Sequence, residues 1–381
     1  MGKKIALFAP HTGANYGTLL QSFSLAEAIK NEGYECEYIS YSPYYKKSLL
    51  EKLFRRIKSV FPNRQMMQPS TDLVDDYSFW YTPDFEMIRL SASDFADKRI
   101  PYSSVHYNPK NLRRCIKYER YIVGSDQTWS MERFLNEGPV YFLYFLPKGA
   151  KKYSYAPSLG TLQLTERHQK ILRRYLKTFS LLSCREKANC DKLGGMIKKK
   201  VEYVADPTLL FDGAFWRRFS LKIDMPDKFV LAYVLGEKEI ISEFSESLGR
   251  LYDIPVYYVL TRPKYLSKPL VLKDLSVEQW VYVIDHASFI VTDSFHGTLF
   301  SINLNKQFYS FAKRENVRND YNDNDRVLDL LDSLKLSSRF IDDDYDKNSI
   351  PIEMIDYAEL NSTIDSFRSK SLSYLNRILN S

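Results

Sequence analysis

An imidazole and a carboxylate that could move protons stand close together in one short stretch, Phe289 to Asn303. The stretch begins with a strand pattern and ends with an apolar helix pattern, and between them lie Asp293, Ser294, His296 and Gly297. These groups therefore lie at the carboxyl end of a strand and beside a helix amino terminus, whose unpaired N–H groups favour an anion. Two interpretations are open: Asp293 or Ser294 only caps the helix, or the turn is a catalytic site.

Four other predicted strands also end in polar side chains. Because ligands of open α/β sheets bind outside the carboxyl ends of the strands, this series predicts one shared crevice. Any single cluster is also consistent with an ordinary cap or turn. The clusters are Gly124, Ser125 and Asp126; Ser158 and Gly160; Arg185 and Glu186; and Asp206 with Pro207.

The first forty residues contain a predicted strand, helix and second strand. The strands are 4–9 and 35–41, and apolar residues recur at helical spacing between them. A unit of this length is a right-handed crossover, which predicts a parallel sheet. Asn15, Tyr16 and Gly17 precede the helix and form either a tight turn or a cradle for phosphate.

The alternation of strands and helices begins again after Pro226, with strands at 229–235, 256–260, 289–292 and 307–311 and helices at 239–251 and 277–286. The sequence therefore predicts an α/β protein with two Rossmann-like domains. We assign residues 1–222 to the first domain, with an irregular insertion at about 44–117 that holds one or two short helices. Residues 223–355 form the second domain, and 356–381 form a helix expected to pack back on the first.

The composition is that of an ordinary globular protein of 381 residues, with 44% hydrophobic and 27% charged residues. The net charge of +7 is spread along the chain, which argues against nucleic acid as a partner. Four cysteines without Cys-x-x-Cys spacing indicate a reducing compartment and no structural zinc. Asp293 and His296 have no second convergent histidine pair, so no metal is expected at the site. The sequence contains no recognisable signal peptide or membrane span, so we expect a cytoplasmic protein.

Two further segments each have two open interpretations. Residues 46–61 read as a basic amphipathic helix, which either packs on the core or makes peripheral contact with an anionic membrane surface. The polar segment from Arg314 to Arg326 is either a surface loop or a lid whose Arg314 or Arg318 closes on an anionic ligand.

Six short motifs follow one another along the chain: Ala14-Asn15-Tyr16-Gly17, Val123-Gly124-Ser125-Asp126, Ser154-Tyr155-Ala156, Ser183-Cys184-Arg185-Glu186, Ala205-Asp206-Pro207 and Thr292-Asp293-Ser294-Phe295-His296-Gly297. In this order they resemble the motifs of the polysaccharide pyruvyl transferases. Each motif is short, but six in the family's order are hard to obtain by accident. The resemblance runs from Ile5 to about Phe311 and so covers most of the chain.

The resemblance implies a glycosyltransferase-B-like pair of Rossmann-like domains facing a central cleft. It also implies transfer of the enolpyruvyl group of phosphoenolpyruvate to two hydroxyls of one sugar, with release of phosphate and without a cofactor. The sugar would belong to a bacterial surface polysaccharide or its lipid-linked precursor. Two other functions are open: a nucleotide-sugar-dependent glycosyltransferase, or a non-catalytic member of a polysaccharide assembly complex.

The resemblance further implies roles for individual residues. His296 would be the general acid/base, with Asp206 or Asp293 as a second proton carrier. Arg185 would hold the phosphate or the carboxylate of phosphoenolpyruvate. The other substrate-binding candidates are Asn15, Tyr16, Gly17, Gly124, Ser125, Asp126, Ser294, Gly297 and Arg314.

One position departs from the family pattern. Many members have Arg-Leu-His where this chain has Ser294, Phe295 and His296, and that arginine helps to hold phosphoenolpyruvate. Another cation would have to take its place, and the candidates are Lys187, Arg314 and Arg318.

Overall fold

Two parallel β-sheets organise the chain. The structure is a computed structural model and describes residues 4–10, 13–43, 82–161, 163–236, 238–313, 324–342 and 353–381. Every strand pairing between the named strands of these ranges is parallel. The prediction of an α/β protein with two Rossmann-like domains is therefore confirmed.

The N-terminal sheet has the strand order β2-β1-β3-β4, and the pair β5-β6 continues it through a bridge between Tyr153 and Leu181. Its strands are β1 (Ile5–Phe8), β2 (Cys36–Tyr38), β3 (Arg120–Val123), β4 (Lys152–Ser154), β5 (Leu182–Cys184) and β6 (Val201–Tyr203). The accompanying helices are α1 (Tyr16–Asn31), α2 (Glu86–Arg99), α3 (Met131–Glu137), α4 (Glu166–Leu176), α5 (Lys187–Ile197) and α6 (Gly213–Phe219).

The C-terminal sheet has the order β12-β11-β10-β7-β8-β9. Its strands are β7 (Val230–Tyr233), β8 (Val256–Val259), β9 (Val271–Leu272), β10 (Phe289–Thr292), β11 (Gln307–Phe311) and β12 (Phe340–Ile341). The helices that follow α6 are α7 (Glu239–Tyr252), α8 (Val277–His286), α9 (Phe295–Asn303), α10 (Asp325–Ser333) and α11 (Tyr357–Leu379). Short 3-10 helices lie at Pro83–Phe85, Leu112–Cys115, Gly138–Phe142, Pro207–Leu210, Pro263–Ser267 and Ser337–Arg339.

The segment predicted as an irregular insertion contains the regular helix α2, which is 14 residues long. Ile88, Ala92, Phe95 and Ala96 are buried along it at helical spacing. Phe95 packs edge-on against Phe23 of α1, with ring centroids 5.9 Å apart. This buried face accounts for a helix longer than the short ones predicted. Residues 44–81 of the insertion, including the basic segment 46–61, lie outside the described ranges.

The long helix α11 packs against the N-terminal sheet. Ser371 accepts a hydrogen bond from the Ala205 N–H at 2.9 Å, and the Tyr374 hydroxyl donates to the Ser154 carbonyl at 2.9 Å. Leu375, Ile378 and Leu379 are buried against the same domain. Within the described ranges, no helix is both long and apolar enough to cross a bilayer.

The two domains also contact each other directly. Tyr16 of α1 stacks on Trp280 of α8 with ring centroids 5.3 Å apart, and its hydroxyl donates to the Leu275 carbonyl at 3.1 Å. Asn303, at the end of α9, donates to the carbonyls of Thr208 and Phe211 at 3.2 and 2.9 Å. These contacts join α1 to α8 and the carboxyl end of α9 to the N-terminal domain.

We expect the Tyr374→Phe substitution to lower the free energy of unfolding by about 1 kcal/mol, because it removes one buried hydrogen bond and leaves the ring in place. Urea denaturation measures this change. Tyr144→Phe is the matched control, since the Tyr144 side chain is exposed, and its effect should stay within about 0.5 kcal/mol. Equal effects of the two substitutions would contradict the packing of α11 on the sheet.

Candidate active site

A buried guanidinium lies between two carboxylates at the carboxyl ends of the N-terminal strands. Arg185 Nη1 donates to Asp206 Oδ2 at 2.7 Å, and Arg185 Nη2 donates to Asp126 Oδ1 at 3.2 Å. The side chains of Arg185 and Asp206 are each 1% exposed, and that of Asp126 is 15% exposed. The predicted shared crevice thus brings together the polar residues that follow β3, β5 and β6.

Local backbone structure fixes each of these groups. Asp206 caps the 3-10 helix Pro207–Leu210, and its Oδ1 accepts hydrogen bonds from the N–H and the hydroxyl of Thr208 at 3.1 and 2.9 Å. The Ser125 hydroxyl lies 3.2 Å from Asp206 Oδ2. Gly124 has φ +141°, and a Cβ there would lie 1.7 Å from the Tyr155 carbonyl oxygen, so this turn requires glycine.

The C-terminal domain contributes His296, at the first turn of α9. Its Nε2 lies 3.7 Å from Asp206 Oδ2, and its side chain is 9% exposed. Nε2 is buried and has no hydrogen-bond partner among the residues the structure describes. On its other side the ring contacts Gly17, where a Cβ would lie 2.2 Å from His296 Nδ1. The imidazole therefore fits between α1 and Asp206 only because residue 17 is glycine.

Opposite charges keep the carboxylates ionised. Burial alone would raise the pKa of Asp206, but His296, Arg185 and the Thr208 N–H together hold it well below its usual range. Burial also opposes ionisation of Asp126, and Arg185, His296 and Arg326 lower its pKa in spite of this. Arg185 has a raised pKa because its two carboxylate partners outweigh the effect of burial. Asp206 is thus an anion at neutral pH.

The structure does not bring Asp293 to this cluster. Its two carboxylate oxygens accept hydrogen bonds from the Leu235 and Gly236 N–H groups at 2.6 and 2.7 Å. Burial raises its pKa, and those backbone hydrogen bonds partly offset the rise. Asp293 therefore anchors the loop between β7 and α7.

Ser294 and Gly297 form the cap of α9. The Ser294 side chain accepts a hydrogen bond from the Gly297 N–H at 3.2 Å, as a helix N-cap does. A Cβ at Gly297 would lie 2.5 Å from Thr292 Oγ1, so this glycine allows the turn to pack closely. Ser294 is therefore the cap of α9, whereas His296 of the same turn lies beside Asp206 of the other domain.

The turn before α1 divides in the same way. Asn15 is the N-cap and accepts from the Thr18 N–H at 3.2 Å, whereas Tyr16 lies buried in the domain interface. Gly17 contacts His296, and the Thr18 hydroxyl lies 3.4 Å from Asp126 Oδ2. Thr18 is not identifiable as a site residue from the sequence, because it is one polar residue within an apolar helix pattern. Arg314 and Arg318 lie outside the described ranges.

Phe295 and Arg326 were also missed. The Phe295 ring centroid lies 4.4 Å from Cζ of Arg185 and 5.6 Å from Cζ of Arg326. Arg326 is the second residue of α10 and is 9% exposed. Phe295 lies between Ser294 and His296 in the sequence, and this position indicates that its ring is near the site. Nothing in the sequence indicates that the ring also contacts Arg326.

The Gly17→Ala and Gly195→Ala substitutions should change stability in opposite directions. Alanine at 17 places a methyl group against the His296 ring, and such overpacking costs about 1–3 kcal/mol. Alanine at 195, in the exposed part of α5, has no neighbour within 4 Å and should gain up to about 1 kcal/mol from helix propensity. Urea denaturation of both variants measures this, and a stabilised Gly17→Ala protein would contradict the packing described here.

Solved structures with low sequence identity resemble the chain over most of its length. The UDP-GlcNAc 2-epimerase from Methanocaldococcus jannaschii has 11% identity and a TM-score of 0.48, and the match covers 100% of this chain and 99% of that one. The Neisseria meningitidis UDP-GlcNAc 2-epimerase bound to UDP-GlcNAc has 8% identity, a TM-score of 0.45 and coverages of 82% and 83%. Arabidopsis thaliana UGT89C1 complexed with quercetin has 10% identity, a TM-score of 0.44 and coverages of 100% and 94%.

Comparison with curated protein sequences gave no significant match. A sequence model of one family does match, over residues 15–313. This range includes Gly17, Asp126, Arg185, Asp206 and His296, which the fold brings together in the cleft. The chain belongs to the polysaccharide pyruvyl transferase family.

Proposed function

We propose that this protein transfers the enolpyruvyl group of phosphoenolpyruvate to two hydroxyls of one sugar, forming a cyclic pyruvate ketal and releasing phosphate. The observation that carries the proposal is the placement of His296 beside the ionised Asp206, in a cleft between two domains of a pyruvyl transferase family member. An imidazole held against a carboxylate is suited to accepting and returning protons near neutral pH.

The reaction requires a fixed set of proton transfers. The methylene carbon of phosphoenolpyruvate gains one proton and becomes the methyl group of the ketal. Each of the two sugar hydroxyls forms a bond to the central carbon and loses its proton. The bond from that carbon to the phosphate oxygen breaks, and phosphate leaves with the second proton. A group that alternates between acid and base serves both stages.

We assign this alternating role to His296. Its buried Nε2 has no hydrogen-bond partner among the described residues, so this nitrogen is available to a substrate. Asp206 is a poor proton carrier near neutral pH, because its pKa is held well below its usual range. We therefore assign Asp206 to positioning, with its charge orienting the imidazole. The binding of Asp293 by two backbone N–H groups favours the same choice.

We assign Arg185 of the N-terminal domain to binding the donor substrate, phosphoenolpyruvate. Two of its nitrogens bind carboxylates, while its buried Nε has no hydrogen-bond partner in the described ranges. This N–H is left to contact the carboxylate or the phosphate of phosphoenolpyruvate. The amino terminus of α9 adds a partial positive charge on the side of the cleft that holds His296.

The acceptor in this proposal is a sugar of a bacterial surface polysaccharide or its lipid-linked precursor. Asp126 is the most exposed carboxylate of the cluster and accepts hydrogen bonds, which suits it to hold a sugar hydroxyl. The cytoplasmic location stays a prediction. So does peripheral membrane contact, since the basic segment 46–61 lies outside the described ranges.

The His296→Gln substitution should reduce phosphate release from phosphoenolpyruvate by roughly 100-fold or more, because glutamine keeps a polar side chain but cannot exchange protons near neutral pH. The assay measures phosphate with and without galactose-, mannose- and glucosamine-type acceptors. His286→Gln is the matched control: this histidine lies on α8 of the same domain with its side chain 46% exposed, and its substitution should leave the rate unchanged.

Full activity in a folded His296→Gln protein would remove His296 from the mechanism. Thermal stabilisation by a nucleoside diphosphate and none by phosphoenolpyruvate would instead favour a nucleotide-sugar-dependent glycosyltransferase. A lack of response to either ligand, with partner binding retained, would favour a non-catalytic role.

A further inference from the structure

Arg185 alone would attract phosphoenolpyruvate, the highly charged donor substrate, only weakly. Its Nη atoms bind Asp206 and Asp126, and Glu186 Oε1 lies 3.8 Å from its Nε. Its positive charge is thus already matched by carboxylates. Phosphoenolpyruvate adds a phosphate and a carboxylate to this cleft, so its binding requires a further cation.

A second guanidinium, that of Arg326, lies at the same aromatic ring as Arg185. Both Cζ atoms are within cation–π distance of the Phe295 ring, at 4.4 and 5.6 Å. Arg326 also contributes to the lowered pKa of Asp126. An anion bound at this ring would lie beside both guanidiniums, and both are nearly buried, where charged hydrogen bonds are strong.

The start of α10 is held against the N-terminal domain. Asp325 accepts a hydrogen bond from the buried Thr161 hydroxyl at 3.1 Å. One turn later, Asp329 accepts from the N–H groups of Lys187 and Ala188 at 2.5 and 2.9 Å, at the amino terminus of α5. Arg326 lies next to the first of these anchors. Its backbone is therefore fixed before a ligand binds, which lowers the entropy cost of binding.

We propose that Arg326, held against Phe295, binds the phosphate of phosphoenolpyruvate and supplies the positive charge that Ser294 does not. Planar guanidinium groups form paired hydrogen bonds with phosphate, and the amino terminus of α9 carries partial positive charge at the same ring. This inference rests on the proposed function, since it assigns one contact of that donor.

Arg326→Gln should weaken binding of phosphoenolpyruvate by roughly 10- to 100-fold, as expected for the loss of a charged hydrogen bond. Isothermal titration calorimetry of the full chain measures this effect. Inorganic phosphate and pyruvate serve as separate probes: phosphate binding should be lost in the variant and pyruvate binding unchanged. Arg326→Lys keeps the positive charge but lacks the planar guanidinium, so its affinity for phosphoenolpyruvate should lie between those of the wild-type protein and Arg326→Gln.

Arg339→Gln is the matched control. Arg339 is likewise buried and in the C-terminal domain, with Cζ 5.5 Å from the Tyr309 ring centroid, but it lies outside the cleft cluster. Its substitution should leave donor affinity unchanged. Wild-type affinity in Arg326→Gln would overturn the assignment, as would equal losses in Arg326→Gln and Arg339→Gln. A wild-type protein that binds no phosphoenolpyruvate would instead reject the proposed function itself, and the assignment with it.

Discussion

The buried charge of Arg185 is the constraint on which the rest of the cleft depends. A guanidinium with 1% of its side chain exposed is stable only when anions lie against it, and removing one partner of such a pair costs about 3–5 kcal/mol. Asp126 and Asp206 supply those anions from the ends of β3 and β6. The charges that would do chemistry are therefore also charges that hold three strand ends together.

The C-terminal domain completes this cluster, which makes the domain interface part of the site. His296 reaches Asp206 across the cleft, and the contact depends on a glycine at position 17 of the opposite domain. Tyr16, next to Gly17, stacks on Trp280, and this contact also holds α1 against the C-terminal domain. A substitution at this interface would change the geometry of the imidazole without touching a substrate. Tyr16, one of the substrate-binding candidates, therefore also bears on the site through this interface.

The sequence predicted the edge of the sheet at which the polar residues meet, but not the direction of each side chain. Asp206 and Asp293 both follow apolar strands, and strand periodicity does not distinguish them. Their difference arises from neighbours far away in the sequence: Asp206 meets Arg185 and His296, while Asp293 meets the Leu235 and Gly236 N–H groups. Pairings of this kind are set by tertiary packing, so one sequence alone could not give them.

At the turn that begins with Ser294, the residues of the motif do not account for all of the positive charge nearby. Serine at 294 caps α9 through the Gly297 N–H, and an arginine there would lose that cap at a cost of about 1 kcal/mol. Phe295 then presents an aromatic face to two guanidiniums, one that directly follows β5 and one on α10. Comparison of the motif alone finds one cation fewer at this turn. The folded chain places a second guanidinium, that of Arg326 on α10, at the adjacent ring.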